Sequence, residues 1–171
     1  ENATYTFCTT LSDISGVGAV NLLFNAITFT NLTNTTNTLF CGNIGNLGGG
    51  NYSYYWNFWD IYTNMNRSLT QNFSVLRAPS DIYMTLNGTA GNITLFTGVP
   101  IEVYSFLGLP VAQPITLYRN GIFFANGNSP LNVSTYFNRS YAGLNNFTAV
   151  YAGNQNYTNS SITRFVDVIV S

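Results

Sequence analysis

Short runs of alternating apolar and polar residues, separated by Gly, Pro and Asn, fill the sequence from end to end. Side chains alternate between the two faces of a β-strand, so a period of two predicts strands that are buried on one face. In the clearest run, Phe147, Ala149 and Tyr151 share one face, while Thr148 and Val150 share the other. No segment shows the 3.6-residue period of an amphipathic helix. The pattern therefore predicts an all-β protein.

The predicted strands fall into two groups, and Pro79 marks the boundary between them, because proline interrupts a β ladder. The first domain, residues 1–78, has predicted strands at 1–10, 20–30, 38–41, 52–62 and 69–77, and its glycine-rich stretch 42–50 is predicted to be a flexible loop. The second domain, residues 79–171, has them at 82–86, 93–96, 101–107, 115–119, 122–125, 131–137, 145–151 and 162–170. Asn120-Gly121 predicts a hairpin turn. Strands this short and this closely spaced are typical of β-sandwiches.

Charge is scarce along the whole chain. Charged residues make up 6% of the sequence, against roughly 25% in ordinary soluble domains. His and Lys are absent, and five Arg balance six acidic residues to a net charge of −1. No basic patch can therefore form for nucleic acid or for an anionic membrane surface. No apolar run reaches the 18 residues of a membrane span, so we expect no transmembrane segment.

Glycosylation sequons replace charge as the candidate source of solubility. The sequence holds 13 sequons among 25 Asn, and Ser and Thr together number 34 of the 171 residues. Chance would give only about five, so the excess favours true N-glycosylation over accidental matches in an Asn- and Thr-rich chain. N-linked sugars would then hydrate the surface and keep the protein soluble. The predicted sites are Asn2, Asn31, Asn34, Asn51, Asn66, Asn72, Asn87, Asn92, Asn132, Asn138, Asn146, Asn156 and Asn159.

The two cysteines, Cys8 and Cys41, predict one intrachain disulfide in a secreted protein. Such a bond would stabilise the fold by about 3–4 kcal/mol in the chain-entropy model. Two cysteines without histidine make a poor zinc site, so we expect no metal and no cofactor apart from covalent glycans. The sequence begins at Glu1 rather than Met, and we expect a signal peptide to have been removed.

An aromatic run at residues 52–62 carries large side chains on both faces of its predicted strand. One face would pack into the core. Three roles stay open for the other face: an interface with the adjoining domain, a contact with another subunit, or a carbohydrate-binding platform.

Catalysis is not expected. Without His or Lys, acid–base chemistry would rely on carboxylates that are scattered through the sequence with no local motif pairing them. Five of these are Asp13, Asp60, Asp81, Glu102 and Asp167.

The C-terminal half carries a pattern that runs from residues 115–121, ITLYRNG, through residues 149–154, AVYAGN, to Tyr157. This pattern resembles the immunoglobulin-like repeats of bacterial and archaeal surface proteins, and the similarity covers roughly residues 79–171. It implies that the domain is an immunoglobulin-like sandwich, so we expect two immunoglobulin-like β-sandwich lobes in all.

The whole chain, with its many sequons and two cysteines, is also similar to the glycosylated subunits of archaeal thread filaments. That resemblance implies an extracellular homopolymer in which identical subunits join head to tail by donor-strand complementation. We predict the first residues as the donor strand, with Ala3, Tyr5 and Phe7 entering the neighbour, and residues 162–170 as the rival donor. Two further functions stay open: a cell-surface adhesin or S-layer-type module that contacts a surface or cell, and a secreted sugar-binding protein.

Overall fold

The computed structural model describes residues 3–12, 16–34, 36 and 38–171. The chain divides into two compact units, Glu1–Arg77 and Ala78–Ser171, which we call the N-lobe and the C-lobe. Both are built from strands. A single 3₁₀ turn at Arg139–Tyr141 is the only helical element among the described residues, which confirms the all-β prediction.

The N-lobe is a sandwich of two antiparallel sheets. One sheet has the strand order β1-β5-β4, and the other has the order β3-β2-β6-β7, with β8 also pairing with β6. The strands are β1 Thr4–Thr10, β2 Val17–Phe24, β3 Ile27–Phe29, β4 Thr33–Asn34, β5 Leu39–Gly45, β6 Gly50–Asp60, β7 Met65–Arg67 and β8 Gln71–Val75.

The core of the N-lobe lies between these sheets and is rich in aromatic residues. Side chains from both sheets meet there because apolar residues alternate with polar ones along each strand. The buried residues are Phe7, Val20, Leu22, Phe24, Ile44 and Trp56.

The C-lobe is a larger sandwich, with three strands packed against five. The three-stranded sheet has the order β14-β11-β9, and the five-stranded sheet has the order β10-β16-β15-β12-β13. Only β10 and β16 pair in parallel. The strands are β9 Asp81–Leu86, β10 Ile93–Phe96, β11 Pro100–Leu109, β12 Pro114–Arg119, β13 Ile122–Asn128, β14 Leu131–Tyr136, β15 Gly143–Tyr151 and β16 Ser160–Ile169.

This strand order is immunoglobulin-like, because β9, β11 and β14 form one sheet while β12, β13, β15 and β16 lie in the other, with the short strand β10 added at its edge. The core between the sheets is closed and mostly aliphatic, with Val166, Leu117 and Ile101 each fully buried. Phe147, Ala149 and Tyr151 all point into this core, as their alternation predicts.

One turn predicted from the sequence is confirmed, and a second turn interrupts a predicted strand. Asn120 and Gly121 have positive φ angles of 51° and 77° and join β12 to β13, which confirms the predicted hairpin. The unbroken strand predicted at residues 20–30 is wrong, because Asn25 and Ala26, at φ 46° and 64°, form a two-residue turn. Only Asn25 of this pair is typical of such a turn, so the signal was weak.

The glycine-rich stretch 42–50 is also more ordered than predicted. Strand β5 continues to Gly45, and Ile44 within it is buried in the N-lobe core. The flexible-loop prediction is therefore wrong for its first half, because pairing with β1 and burial of Ile44 hold glycines that local propensity would leave free.

Candidate functional site

The N-terminal strand β1 is the first candidate site. It pairs antiparallel with β5 over seven residues, with Tyr5 opposite Ile44 and Phe7 opposite Gly42. In its sheet, β1 has one hydrogen-bonded neighbour and lies at the edge. The strand nearest the chain start is thus attached to the lobe along a single ladder.

Aromatic contacts anchor β1 to the core. The Phe7 side chain is buried, and its ring centroid lies 5.2 Å from Phe24, 4.8 Å from Tyr54 and 5.2 Å from Phe73. Tyr5, two residues earlier on the same face, meets Phe73 edge-on at 5.0 Å. Edge-to-face pairs of this kind each add about 0.5–1.5 kcal/mol to the burial of their apolar area.

A glycine shapes the pocket that receives Phe7. A Cβ atom built on Gly42 would lie 2.9 Å from Leu22 Cδ2 and 3.1 Å from Leu32 Cδ2. Because glycine has no side chain, Leu22 and Leu32 can pack against β5 next to Phe7, which stands opposite Gly42.

Of the three residues predicted to form the donor face, two lie on the core side of β1. Phe7 is buried, Tyr5 is half-buried, and Ala3 is exposed just before the strand begins. In the single chain these side chains fill their own lobe. Transfer of the strand to a neighbour stays a prediction.

The two cysteines form a disulfide within the chain. Cys8 and Cys41 stand directly opposite each other in the β1–β5 ladder, with their Cα atoms 4.1 Å apart. The bond therefore fastens β1 to β5 one residue after Phe7. A disulfide and an immunoglobulin-like sandwich are both typical of secreted and surface modules.

The sequon asparagines lie on the surface of both lobes. Asn2 lies outside the described residues, and Asn146 is half-buried; the other described sites are exposed, namely Asn31, Asn34, Asn51, Asn66, Asn72, Asn87, Asn92, Asn132, Asn138, Asn156 and Asn159. A bulky sugar needs an exposed asparagine, so the fold leaves room for the predicted modification.

Two of these sequons face each other across the β6–β8 strand pair. Asn51 stands opposite Ser74, and Ser53 stands opposite Asn72, so each asparagine faces the hydroxyl residue of the other sequon. The Ser74 hydroxyl donates a hydrogen bond of 2.8 Å to Asn51 Oδ1. Sugars on both asparagines would project from the same face of the sheet.

The aromatic run on β6 packs mainly into its own lobe. Trp56 is buried in the N-lobe core, and Tyr52, Tyr54 and Phe58 pack around it. On the opposite face, the Arg67 guanidinium lies 4.3 Å from the centre of the Tyr55 ring. The core role expected for one face of this run is thus confirmed, and a neighbouring strand covers part of the other.

Two of the candidate carboxylates, Asp60 and Glu102, accept hydrogen bonds from neighbouring residues. Asp60 closes a turn, accepting hydrogen bonds from the backbone amides of Tyr62 and Asn64 at 2.8 Å each and from Asn64 Nδ2 at 2.7 Å. The Asn64 side-chain bond is the main reason why the Asp60 pKa lies below its usual value. Glu102 accepts a hydrogen bond from Asn132. Asp13 lies outside the described residues, and the described part of the chain contains no group of three or more metal-binding side chains.

No protein-family model and no curated protein matches the sequence. Among solved structures, the fibronectin(III)-like modules of CbhA from Clostridium thermocellum align at 10% identity and a TM-score of 0.41, covering 96% of this chain and 86% of that one. Titin domains A168–A170 align at 12% identity and a TM-score of 0.44, covering 97% of this chain and 60% of the titin fragment. Because both TM-scores lie below 0.5, the assignment of the architecture rests on the strand order itself.

In the described part of the chain, no helix is long and apolar enough to cross a bilayer.

Proposed function

We propose that this protein is the structural subunit of an extracellular, glycosylated filament, in which each subunit gives its N-terminal strand β1 to the next. The observation that carries the proposal is the position of β1: it lies at a sheet edge, a single ladder attaches it to the lobe, and Phe7 anchors it in an aromatic pocket. Identical subunits can exchange such a strand without losing any contact, because every partner reappears in the neighbour.

The rival donor, the last strand, is a poor candidate on physical grounds. Strand β16 lies between β10 and β15 and pairs with both. Its residues Val166 and Val168 are buried in the C-lobe core. Withdrawing β16 would break two ladders and open that core, whereas withdrawing β1 breaks one ladder.

Exchange in the same register determines where the disulfide goes. Phe7 and Cys8 are consecutive and face Gly42 and Cys41 on β5. If Phe7 enters a neighbouring lobe, Cys8 arrives opposite that neighbour's Cys41. The bond that lies within one chain in the isolated subunit would thus join successive subunits in the filament.

The low charge and the exposed sequons support the extracellular, glycosylated part of the proposal. A chain with only 6% charged residues needs another source of surface hydration, and sugars on exposed asparagines would supply it.

Native material tests the proposal most directly. We expect electron micrographs to show filaments, and a non-reducing denaturing gel to show a ladder that collapses to one subunit after reduction. A Phe7→Ser subunit should form no filaments, while Thr6→Ser, on the exposed face of β1, should assemble normally. Monomeric native material would contradict the proposal and favour the adhesin or S-layer-type module. Filaments without a reducible ladder would show that the donor is a segment that excludes Cys8.

A further inference from the structure

The outer face of the three-stranded sheet in the C-lobe carries a row of aromatic rings. Tyr83 on β9 stands opposite Phe106 on β11, and their rings stack at 4.9 Å with planes 17° apart. Tyr104, two residues before Phe106, lies 5.7 Å from it. The row thus crosses the sheet from β9 to β11 and continues along β11.

These rings do not belong to the core. Ile101, Val103 and Ser105 alternate with them along β11 and point inward, so Tyr104 and Phe106 point outward and are only half-buried. Tyr83 is 47% exposed. A Cβ on Gly108 would lie 3.1 Å from the Tyr83 ring, so the glycine lets that ring lie flat against the sheet. Flat aromatic surface exposed to water is costly unless something covers it.

A sequon stands at the end of the row. Asn132 on β14 lies directly opposite Tyr104, which puts their Cβ atoms roughly 5 Å apart on the same face. Asn132 is exposed, and its Nδ2 donates a hydrogen bond to Glu102. Ser134, which completes the sequon, lies opposite Glu102.

We propose that Asn132 carries an N-linked glycan whose first sugars lie over Tyr104 and Phe106, a placement that rests on the glycosylation part of the proposed function. The linkage forms between Nδ2 and the anomeric carbon of a lipid-linked oligosaccharide diphosphate; one amide hydrogen leaves as a proton and the lipid diphosphate departs. The second amide hydrogen stays on Nδ2 and keeps the bond to Glu102.

The chemistry of the two surfaces is complementary. The C–H groups on one face of a pyranose ring carry a small positive charge, and the face of an aromatic ring is negative. A sugar tethered one strand away meets the rings at a high effective concentration, with no entropic cost of association from solution. The tethered glycan is therefore a better occupant of this row than a free saccharide.

Matched variants test the placement in natively glycosylated protein. Ser134→Ala removes the sequon but keeps Asn132 and every aromatic ring, and Ser134→Thr keeps the sequon. The readout is nitration of tyrosine by tetranitromethane, followed by peptide mass spectrometry. Tyr136 serves as the internal reference, because it points outward from the same strand, four residues or about 13 Å from Asn132.

We expect the peptide that contains Asn132 to carry sugar. Tyr104 should be nitrated about fivefold faster in Ser134→Ala than in wild type or Ser134→Thr, while Tyr136 stays unchanged. The unfolding temperature of the C-lobe should also fall in Ser134→Ala, and that fall should vanish in a Phe106→Ala background. Thr89→Ala removes the Asn87 sequon, which lies in a turn, and should leave Tyr104 nitration unchanged.

The inference and the proposed function fail in different ways. An unmodified Asn132 alongside modified sequons elsewhere, or equal nitration in Ser134→Ala and Ser134→Thr, overturns the inference alone. Bare asparagines at every sequon overturn the glycosylated surface as well. Neither readout requires polymerisation, so a failure to form filaments leaves the test intact.

Discussion

The two lobes are both β-sandwiches, but they differ in how completely each one closes its own core. Fifteen hydrophobic residues are buried in the C-lobe and six in the described part of the N-lobe. Three strands of the N-lobe, β3, β4 and β7, have only three, two and three residues, while β15 in the C-lobe has nine and pairs on both sides. The C-lobe can therefore be stable by itself, whereas the N-lobe depends on additional constraints.

Those constraints are the disulfide and the aromatic anchor, and both act on β1. The N-lobe contains the Cys8–Cys41 bond, and three of its six buried residues are aromatic, including Phe7. The small N-lobe core is exposed to solvent when β1 leaves, and β1 from an identical subunit can cover it again. The difference between the lobes thus explains why strand exchange would take place in the N-lobe.

The largest expected effect comes from breaking the C-lobe core. Phe147 is fully buried and packs against Phe124 and Phe137 at 5.5 and 5.9 Å. Phe147→Ala should lower the free energy of unfolding of the C-lobe by about 3–5 kcal/mol, or its melting temperature by about 15 °C or more. Phe165→Ala, at a ring that is 37% exposed, is the matched control and should change little.

Both tryptophans lie in the N-lobe, so tryptophan fluorescence follows that lobe alone while calorimetry follows both. We expect the fluorescence transition of Phe147→Ala to stay where it is in wild type. An equal fall of both transitions would show that the lobes unfold as one unit and would contradict the comparison.

The next effect is specific to the N-lobe. Replacing both cysteines with serine removes a cross-link between residues 33 positions apart. The N-lobe should lose about 3–4 kcal/mol, because its unfolded state regains the entropy of an open loop. Tryptophan fluorescence should report the loss, while the calorimetric transition of the C-lobe stays in place. Reduction of the wild-type monomer should reproduce the shift; a variant as stable as wild type would show that the bond contributes nothing.

Alternation predicted the C-lobe far better than the N-lobe. In the C-lobe, Gly, Pro and Asn separate the strands clearly, as at Asn120-Gly121, so both the strands and their buried faces followed from the sequence. In the N-lobe, Ala26 adopts a positive φ that its side chain does not favour, and Ile44 is buried in a stretch where glycine predicted a loop. There, tertiary packing outweighs local propensity.

Prediction of the candidate sites from the sequence meets the same limit. The disulfide partners could be predicted because the chain has only two cysteines. The row formed by Tyr83, Tyr104 and Phe106 could not, because it depends on the register between β9 and β11, which the sequence does not state. The one signal in the sequence was the alternation along β11, which places Tyr104 and Phe106 on the face opposite to the apolar residues Ile101, Val103 and Leu107.

The smallest expected effect is a pH dependence of the N-lobe through Asp60. The Asn64 side chain, followed by the backbone amides of Asn64 and Tyr62, holds the Asp60 pKa below its usual 3.8, against an opposing contribution from partial burial. Because the pKa is lower in the folded state, the ionised carboxylate stabilises the lobe above the unfolded-state pKa, and this contribution is lost as the pH falls through the folded-state value. The group is partly exposed, so the change should be small.

Asp60→Asn isolates this contribution. The fluorescence midpoint of wild-type protein should fall as the pH is lowered below the unfolded-state pKa of Asp60, while the Asp60→Asn midpoint should be lower than wild type at pH 7 and should converge with it once the carboxylate is protonated in both states. Asn64→Ala, which removes the main donor but keeps the carboxylate, should show a shallower fall than wild type. An identical acid dependence in Asp60→Asn and wild type would assign the fall to other carboxylates and would remove Asp60 from the features that distinguish the N-lobe.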